Sequence, residues 1–433
     1  MLDGERMKNQ TGEIVTGVWA RRFGSFDYVK ITALGFGLTA LWSSLHSIIL
    51  PIRLLDFAPA ALKNTYLGYM TFSGLVLAML VQPIVGTISD RSGFAWGRRR
   101  PFVLIGISLG LVLLPGTGLW ASYAALFAVY CLLQIACNTA QGPYQGLIPD
   151  LVPEDKRGRA SGVKSLLELL GGIMLIRLIA YFMGNYSAVE GHIWLWLSLG
   201  TLGIIVLGTA LVILLTVREE PGVAGQHPPL LTSLYKGFQI NLKQNRSFVW
   251  FMVFRGLVGI PGVILQTFAL YYLMDVIGIE KPAAVTADLM IVVGVSLIAV
   301  VYFAGRFSDR TGRKPILVGS GILGALGIVA LYFSRSYVYI LFSGAILGIA
   351  NGALLSTSWA LATDLVPEGE EAKYLGMANL ALAGGSAVAR LIGPVIDFFN
   401  NLGPNLGYSV MLLACFVCFV IGTISVWRIK ESR

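Results

Sequence analysis

Gly86-Thr87-Ile88-Ser89-Asp90-Arg91-Ser92-Gly93-Phe94-Ala95-Trp96-Gly97-Arg98-Arg99-Arg100-Pro101 and Gly305-Arg306-Phe307-Ser308-Asp309-Arg310-Thr311-Gly312-Arg313-Lys314-Pro315 are two versions of one charged loop, about 215 residues apart. Each is wedged between long apolar runs. Hydrophobic residues make up 56% of the 433-residue chain and charged residues only 13%, and the mean hydropathy is +0.74. A water-soluble protein of this length carries far more polar surface, so most of this chain meets lipid or other helices. A basic loop at equivalent places in two halves of so apolar a chain predicts a duplicated membrane protein.

Segments of about 20 apolar residues can cross a hydrocarbon core of about 30 Å. Twelve are present, near 30–51, 66–89, 101–120, 122–149, 159–184, 192–217, 247–274, 284–308, 314–334, 336–363, 372–398 and 405–427. They are too long for strands and lack alternation, which predicts an all-α membrane protein. The expected organisation is a polar segment 1–29, a six-helix bundle 30–217, a linker 218–246, a second bundle 247–427 and a tail 428–433. The linker is marked by Glu219, Glu220, Pro221, Pro228 and Pro229. The polar N-terminal stretch has no apolar core or small-residue cleavage site, so no signal peptide is expected.

Of the 32 lysines and arginines, 24 lie at or beside segment ends on one side. Four (Arg53, Lys63, Lys281 and Arg335) lie on the other. By the positive-inside rule both termini are expected in the cytoplasm, with the chain in the cell (plasma) membrane as a monomer. The net charge of +9 is thereby assigned to loop anchors, and no nucleic-acid partner is expected. Cys131, Cys137, Cys415 and Cys418 all fall within apolar segments and read as small packing residues, so no metal is expected.

Further matches support the duplication. Asp150-Leu151-Val152-Pro153-Glu154 and Asp364-Leu365-Val366-Pro367-Glu368 end the fourth and tenth segments, 214 residues apart. Gly171-Gly172 and Gly384-Gly385 stand 213 apart, as do Arg177 and Arg390. Parallel repeats of this kind put a solute site at mid-membrane between the halves, reached by alternating access.

In the fourth segment Gln134, Asn138, Gln141 and Gln145 follow steps of four, three and four, which places four amides on one helical face. Tyr144 sits beside them, and Gly142-Pro143 interrupts the helix. Such a row cannot face lipid without cost. It is expected to line a wet cavity suited to a small neutral polyhydroxylated solute, the competing reading being hydrogen-bonded glue between helices. Trp42 and His46 in the first segment, Gln266 in the seventh, and Asn351 and Trp359 in the tenth are further candidate contacts, Trp42 as a face on which a sugar ring could stack.

Glu168 is the one acid placed deep in a segment, and Lys164 precedes it by one turn. Burial and a neighbouring cation act on the carboxyl in opposite directions, so the Glu168–Lys164 pair is the candidate for proton coupling. The alternative is a structural ion pair. Arg177 and Arg390 are candidates either for substrate oxygens or for steadying gate helices.

The repeated loop resembles the one between the second and third helices of the major facilitator superfamily. Gly97-Arg98-Arg99-Arg100-Pro101-Phe102 and Asn138-Thr139-Ala140-Gln141-Gly142-Pro143 resemble the sucrose transporters and related glycoside–cation symporters. The resemblance implies two six-helix bundles related by a pseudo-twofold axis. It also implies that Asp90 docks at the start of the eleventh helix and Asp309 at the start of the fifth. With Arg91, Arg98, Arg310, Asp150 and Asp364 these would form an inner latch that holds the outward-open state. Two departures stand out: Gln134 and Gln141 occupy positions where neighbouring families have coupling aspartates, and Gln145 stands where the sucrose carriers have an arginine. A sugar or glycoside symporter is expected, with no cofactor beyond a proton or else sodium as coupling ion. A multidrug or metabolite exporter, an uncoupled facilitator and a non-transporting solute sensor are the alternatives. An enzyme is not expected, since no nucleotide loop, metal cluster or nucleophile–base spacing is present.

Overall fold

The computed structural model describes residues 24–120, 122–189, 191–219, 245–366 and 370–429. Most of the expected N-terminal segment, most of the linker and the tail beyond 429 lie outside the described residues. Among the described residues twelve helices are long and apolar enough to cross a membrane: α1 (Ser25–Leu54), α2 (Ala60–Asp90), α3 (Arg100–Leu119), α4 (Tyr123–Leu151), α5 (Glu154–Gly184), α6 (His192–Thr216), α7 (Arg246–Ile277), α8 (Pro282–Thr311), α9 (Arg313–Phe333), α10 (Tyr337–Asp364), α11 (Tyr374–Leu402) and α12 (Leu406–Val426). Among the described residues there is no strand. The protein is an integral, multi-pass membrane protein.

In the first half α1 packs on α5 and α6, α2 on α4, and α3 on α4 and α6. In the second half α7 packs on α11 and α12, α8 on α10, and α9 on α10 and α12. The second set is the first displaced by six helices, as a pseudo-twofold axis requires. Contacts between the halves obey the same exchange: α2 meets α11, α5 meets α8, and α1 meets α7.

In lipid, helices associate by close packing rather than by expulsion of water, so small residues mark the tight crossings. A Cβ on Gly171 of α5 would run into the Phe36 carbonyl of α1. In the other half a Cβ on Gly385 of α11 would run into the Gly256 carbonyl of α7. The symmetry-related α1 and α7 also share a π-helical turn near the same end, at Leu45–Ile49 and Leu273–Ile277. In α1, Pro51 cannot donate to the Ser47 carbonyl, which favours the wider turn. In α7 the turn ends at Gly278, whose φ of 74° suits a residue without a Cβ.

The end of the molecule that carries the two charged loops is here called the basic face, and the opposite end the far face. At the basic face each half closes on itself. Arg99 reaches Asp90 at 2.5 Å and Asp150 at 2.9 Å, while Arg98 reaches Asp150 at 2.6 Å. Arg313 likewise bridges Asp309 and Asp364, the latter at 3.1 Å. Arg99 and Arg313 stand 214 residues apart, as do Asp150 and Asp364. In this conformation Asp90 and Asp309 are held by Arg99 and Arg313 of their own bundles, and of the residues expected in the latch Arg98 and Asp150 pair with each other. Glu219 completes the first clamp by accepting from the Arg99 and Arg100 N–H groups at 2.7 and 2.9 Å, which caps α3. Burial pushes the Glu219 carboxyl above its ordinary range, and those two N–H donors oppose the shift.

A substitution pair tests the glycine crossings. Gly171→Val is expected to lower the thermal unfolding midpoint in detergent through overpacking of about 1–3 kcal/mol. Gly200→Ala, at an exposed position where an added Cβ meets nothing within 4 Å, should leave it unchanged or slightly raised.

Candidate functional site

Toward the far face, hydrogen bonds and ion pairs join the two halves. Asp397 of α11 accepts from the Thr65 backbone N–H at 2.6 Å and from Asn64 Nδ2 at 2.8 Å. A carboxylate thus sits at the N-terminal turn of α2, where free N–H groups and the helix dipole favour an anion. Lys63 pairs with Asp275 of α7 at 2.7 Å, Tyr408 donates to Asp275 at 2.6 Å, and Tyr271 donates to the Pro51 carbonyl at 2.7 Å. On the symmetry-related side Arg177 pairs with Asp288 of α8 at 3.3 Å and donates to the Ala284 carbonyl at 3.2 Å. Backbones also approach closely, since a Cβ on Gly68 would lie 2.6 Å from the Arg390 carbonyl and one on Gly393 would strike the Asn64 carbonyl. The halves are therefore sealed together at the far face, while at the basic face Asp90, Asp150, Asp309 and Asp364 pair within their own bundles. Arg177 belongs to the seal.

The amide row of α4 lies elsewhere than expected. Gln134 and Asn138 are only 4% and 2% exposed and are bonded inside the first bundle. Asn138 Nδ2 donates to Gln134 Oε1 at 2.9 Å, Gln134 Nε2 donates to the Tyr130 hydroxyl at 2.8 Å, and that hydroxyl lies 2.9 Å from His46 Nε2. On the other side Gln82 Nε2 donates to Asn138 Oδ1 at 2.6 Å, and Gln145 Nε2 donates to Gln82 Oε1 at 3.3 Å. One polar chain thus runs from His46 in the π turn of α1, through α4 and α2, to the exposed Gln145. Gln134 and Asn138 act as glue between helices, since in a dry interior an amide facing an amide satisfies both. Tyr144 also departs from a cavity role: its hydroxyl donates to the Thr32 carbonyl at 2.9 Å and accepts from the Gly35 N–H at 3.1 Å. Of the same row, Gln141 is half-buried and Gln145 exposed.

Around the space between the halves, Gln141, Gln266 and Asn351 are half-buried, and Trp359 is 37% exposed. Trp42 is half-buried and stacks on His46 with ring centroids 5.4 Å apart. Arg390 is 8% exposed, and its Nη1 donates to the Ser386 carbonyl at 3.1 Å. Its backbone carbonyl lies against Gly68 of α2, in the far-face seal. Arg255 of α7 lies over the Trp359 ring, 4.4 Å from its centroid. Glu168 pairs with Lys164 at 3.3 Å and lies against Gly35 and Tyr144 at the α1–α5 crossing.

Sequence reading missed Tyr130, Gln82, Arg99, Arg313 and Asp397. Tyr130 extends the amide row by one turn, and Gly74 makes room for it, since a Cβ there would lie 2.5 Å from the ring. Arg99 and Arg313 share the 214-residue offset of the flanking repeats, a signal that was present and not used. The same offset carries Tyr130, Gln134 and Asn138 onto Gly344, Gly348 and Gly352. In α10 these glycines pack against α8, where Cβ atoms would meet Leu289, the Val293 carbonyl and the Leu297 carbonyl.

A family model described as "MFS/sugar transport protein" matches residues 34–392. The chain belongs to that family. Among curated relatives, the minor myo-inositol transporter IolF of Bacillus subtilis is 26% identical over a segment covering 27% of each chain. The sucrose transport protein SUC3 of Arabidopsis thaliana is 29% identical over 26% of this chain and 23% of its own. These matches span about a quarter of either relative's length. The crystal structure of a D-xylose-proton symporter superposes with a TM-score of 0.74 at 16% identity, covering 94% of this chain and 98% of that one. That likeness establishes the fold of the family for this chain.

Two substitutions probe the seal and the network. Asp397→Ala is expected to speed amide exchange of residues 63–68 by about tenfold or more, with the basic-face end of α4 unchanged as measured by mass spectrometry. Tyr130→Phe takes a hydroxyl from both His46 and Gln134 and is expected to cost about 1–3 kcal/mol of stability, read as a lower unfolding midpoint.

Proposed function

We propose that the protein is a secondary transporter of a sugar or glycoside, working by alternating access as a proton symporter. The observation that carries this reading is a pair of repeated bundles bonded to each other at the far face, in a chain of the MFS/sugar transport protein family. The names of the relatives point to the same solutes: a myo-inositol transporter, a sucrose transport protein and a D-xylose-proton symporter are polyol and sugar carriers. The concentration of Lys and Arg at the basic face supports a cytoplasmic position for that face and for both termini, in the plasma membrane. The protein acts as a monomer and needs no cofactor other than its coupling ion.

Glu168 is the coupling residue in this reading. It sits at the close crossing of α1 and α5, beside Lys164, and so lies between α1, which meets α7, and α5, which meets α8. A proton there would change the charge at a joint that the bundles use when they rock. In proteoliposomes, radiolabelled disaccharide uptake is expected to rise several-fold with an imposed inward proton gradient. Glu168→Gln should abolish uphill accumulation while preserving solute exchange. Uptake that ignores the pH gradient but follows sodium would replace the proton with sodium, and uptake indifferent to both would make the protein a facilitator.

A further inference from the structure

Four arginines are buried among the described residues: Arg53, Arg99, Arg255 and Arg390. The first two have carboxylate partners, Arg53 with Asp56 at 2.5 Å and Arg99 with Asp90 and Asp150. The other two have none. Arg255 is 4% exposed, its Nε and Nη1 are buried without a hydrogen-bond partner, and its Nη2 reaches only Asn379 Oδ1 at 3.5 Å. Arg390 Nε is likewise buried and unpartnered among the described residues, and Nη1 is used by its own helix. The groups that feel Arg390 electrostatically, His46 and Tyr130, carry no negative charge.

A guanidinium held deep in a membrane bundle without a counter-ion is a costly arrangement, tolerated where a ligand completes it. Resting on the carrier reading above, we propose that the transported solute is an acidic sugar, whose carboxylate or phosphate is received by Arg390. The guanidinium presents planar donors that match either oxyanion. Trp42 of the other bundle, in edge contact with Tyr130 at 6.4 Å between ring centroids, offers an apolar face for the sugar ring. The position also connects binding to gating, because the Arg390 carbonyl is packed against Gly68 in the seal. A solute drawn onto the side chain pulls on the helix turn that closes the far face. Arg255 adds a second positive charge to the same bundle and keeps the pathway attractive to anions.

The test uses the full-length protein in liposomes and matched pairs of solutes: D-glucose with D-glucuronate, methyl glucoside with methyl glucuronide, and D-glucose with D-glucose 6-phosphate. An acidic member is expected to exchange at least about tenfold faster than its neutral partner, because a site built around a buried donor rejects an analogue that leaves it unpaired. The carboxylate and phosphate arms identify which oxyanion is taken. Arg390→Gln should bring the acid-to-neutral ratio to about one, and Arg390→Lys should keep part of it. Should Arg390→Gln fail to fold, the wild-type ratio and its decrease in Arg255→Gln decide the matter. Neutral sugars moving as fast as the acids in the wild type would overturn the inference and leave the carrier reading intact. A ratio unchanged in Arg390→Gln would remove the assignment to that residue. Movement of no member of any pair would sink both.

Discussion

A carboxylate on the amino end of a helix holds this molecule in the shape described. Asp397, carried by α11, bonds to the Thr65 N–H and Asn64 at the start of α2, and with Lys63, Asp275 and Tyr408 it stitches one bundle to the other. Within a bilayer no water stands ready to replace such partners, so a small number of polar contacts can decide which face is closed. The symmetry-related seam, between Arg177 and Asp288, is more exposed and uses a different chemistry. The closure is therefore twofold in its helices and asymmetric in its bonds.

The same asymmetry runs through the interior. Positions that are Tyr130, Gln134 and Asn138 in the first bundle are glycines in the second, where they let α10 lie directly on the backbone of α8. Duplication supplied two equal scaffolds. One then filled the gap between its second and fourth helices with a hydrogen-bonded chain, and the other removed the side chains and closed the gap with backbone. The first bundle contributes neutral hydrogen-bonding groups and the Glu168–Lys164 pair, and the second contributes the unpaired Arg255 and Arg390. A solute binding between them meets unlike walls, and a directional pathway benefits from that difference.

The amide row shows where pattern reading stops. Spacing put Gln134, Asn138, Gln141 and Gln145 on one face of α4; whether the face meets water or another helix depends on Gln82, which lies 56 residues before Asn138 and bonds to it. A helical period reports direction from a single axis and carries no information about what stands opposite. The charged loops show the converse. Their recurrence identified the repeat, yet their partners were set by the tertiary structure, in which Asp90 and Asp309 pair with Arg99 and Arg313.

Twelve apolar segments, two equivalent halves and a basic face were determined by composition, length and charge placement, because crossing a bilayer leaves a helix no other way to satisfy its backbone. Tertiary structure alone decided that Asp397 seals the far face, that Gln134 and Asn138 are internal, and that two buried arginines lack a counter-ion. Each of those depends on which side chains from distant segments come within bonding distance, and in lipid that distance separates a satisfied polar group from a costly one.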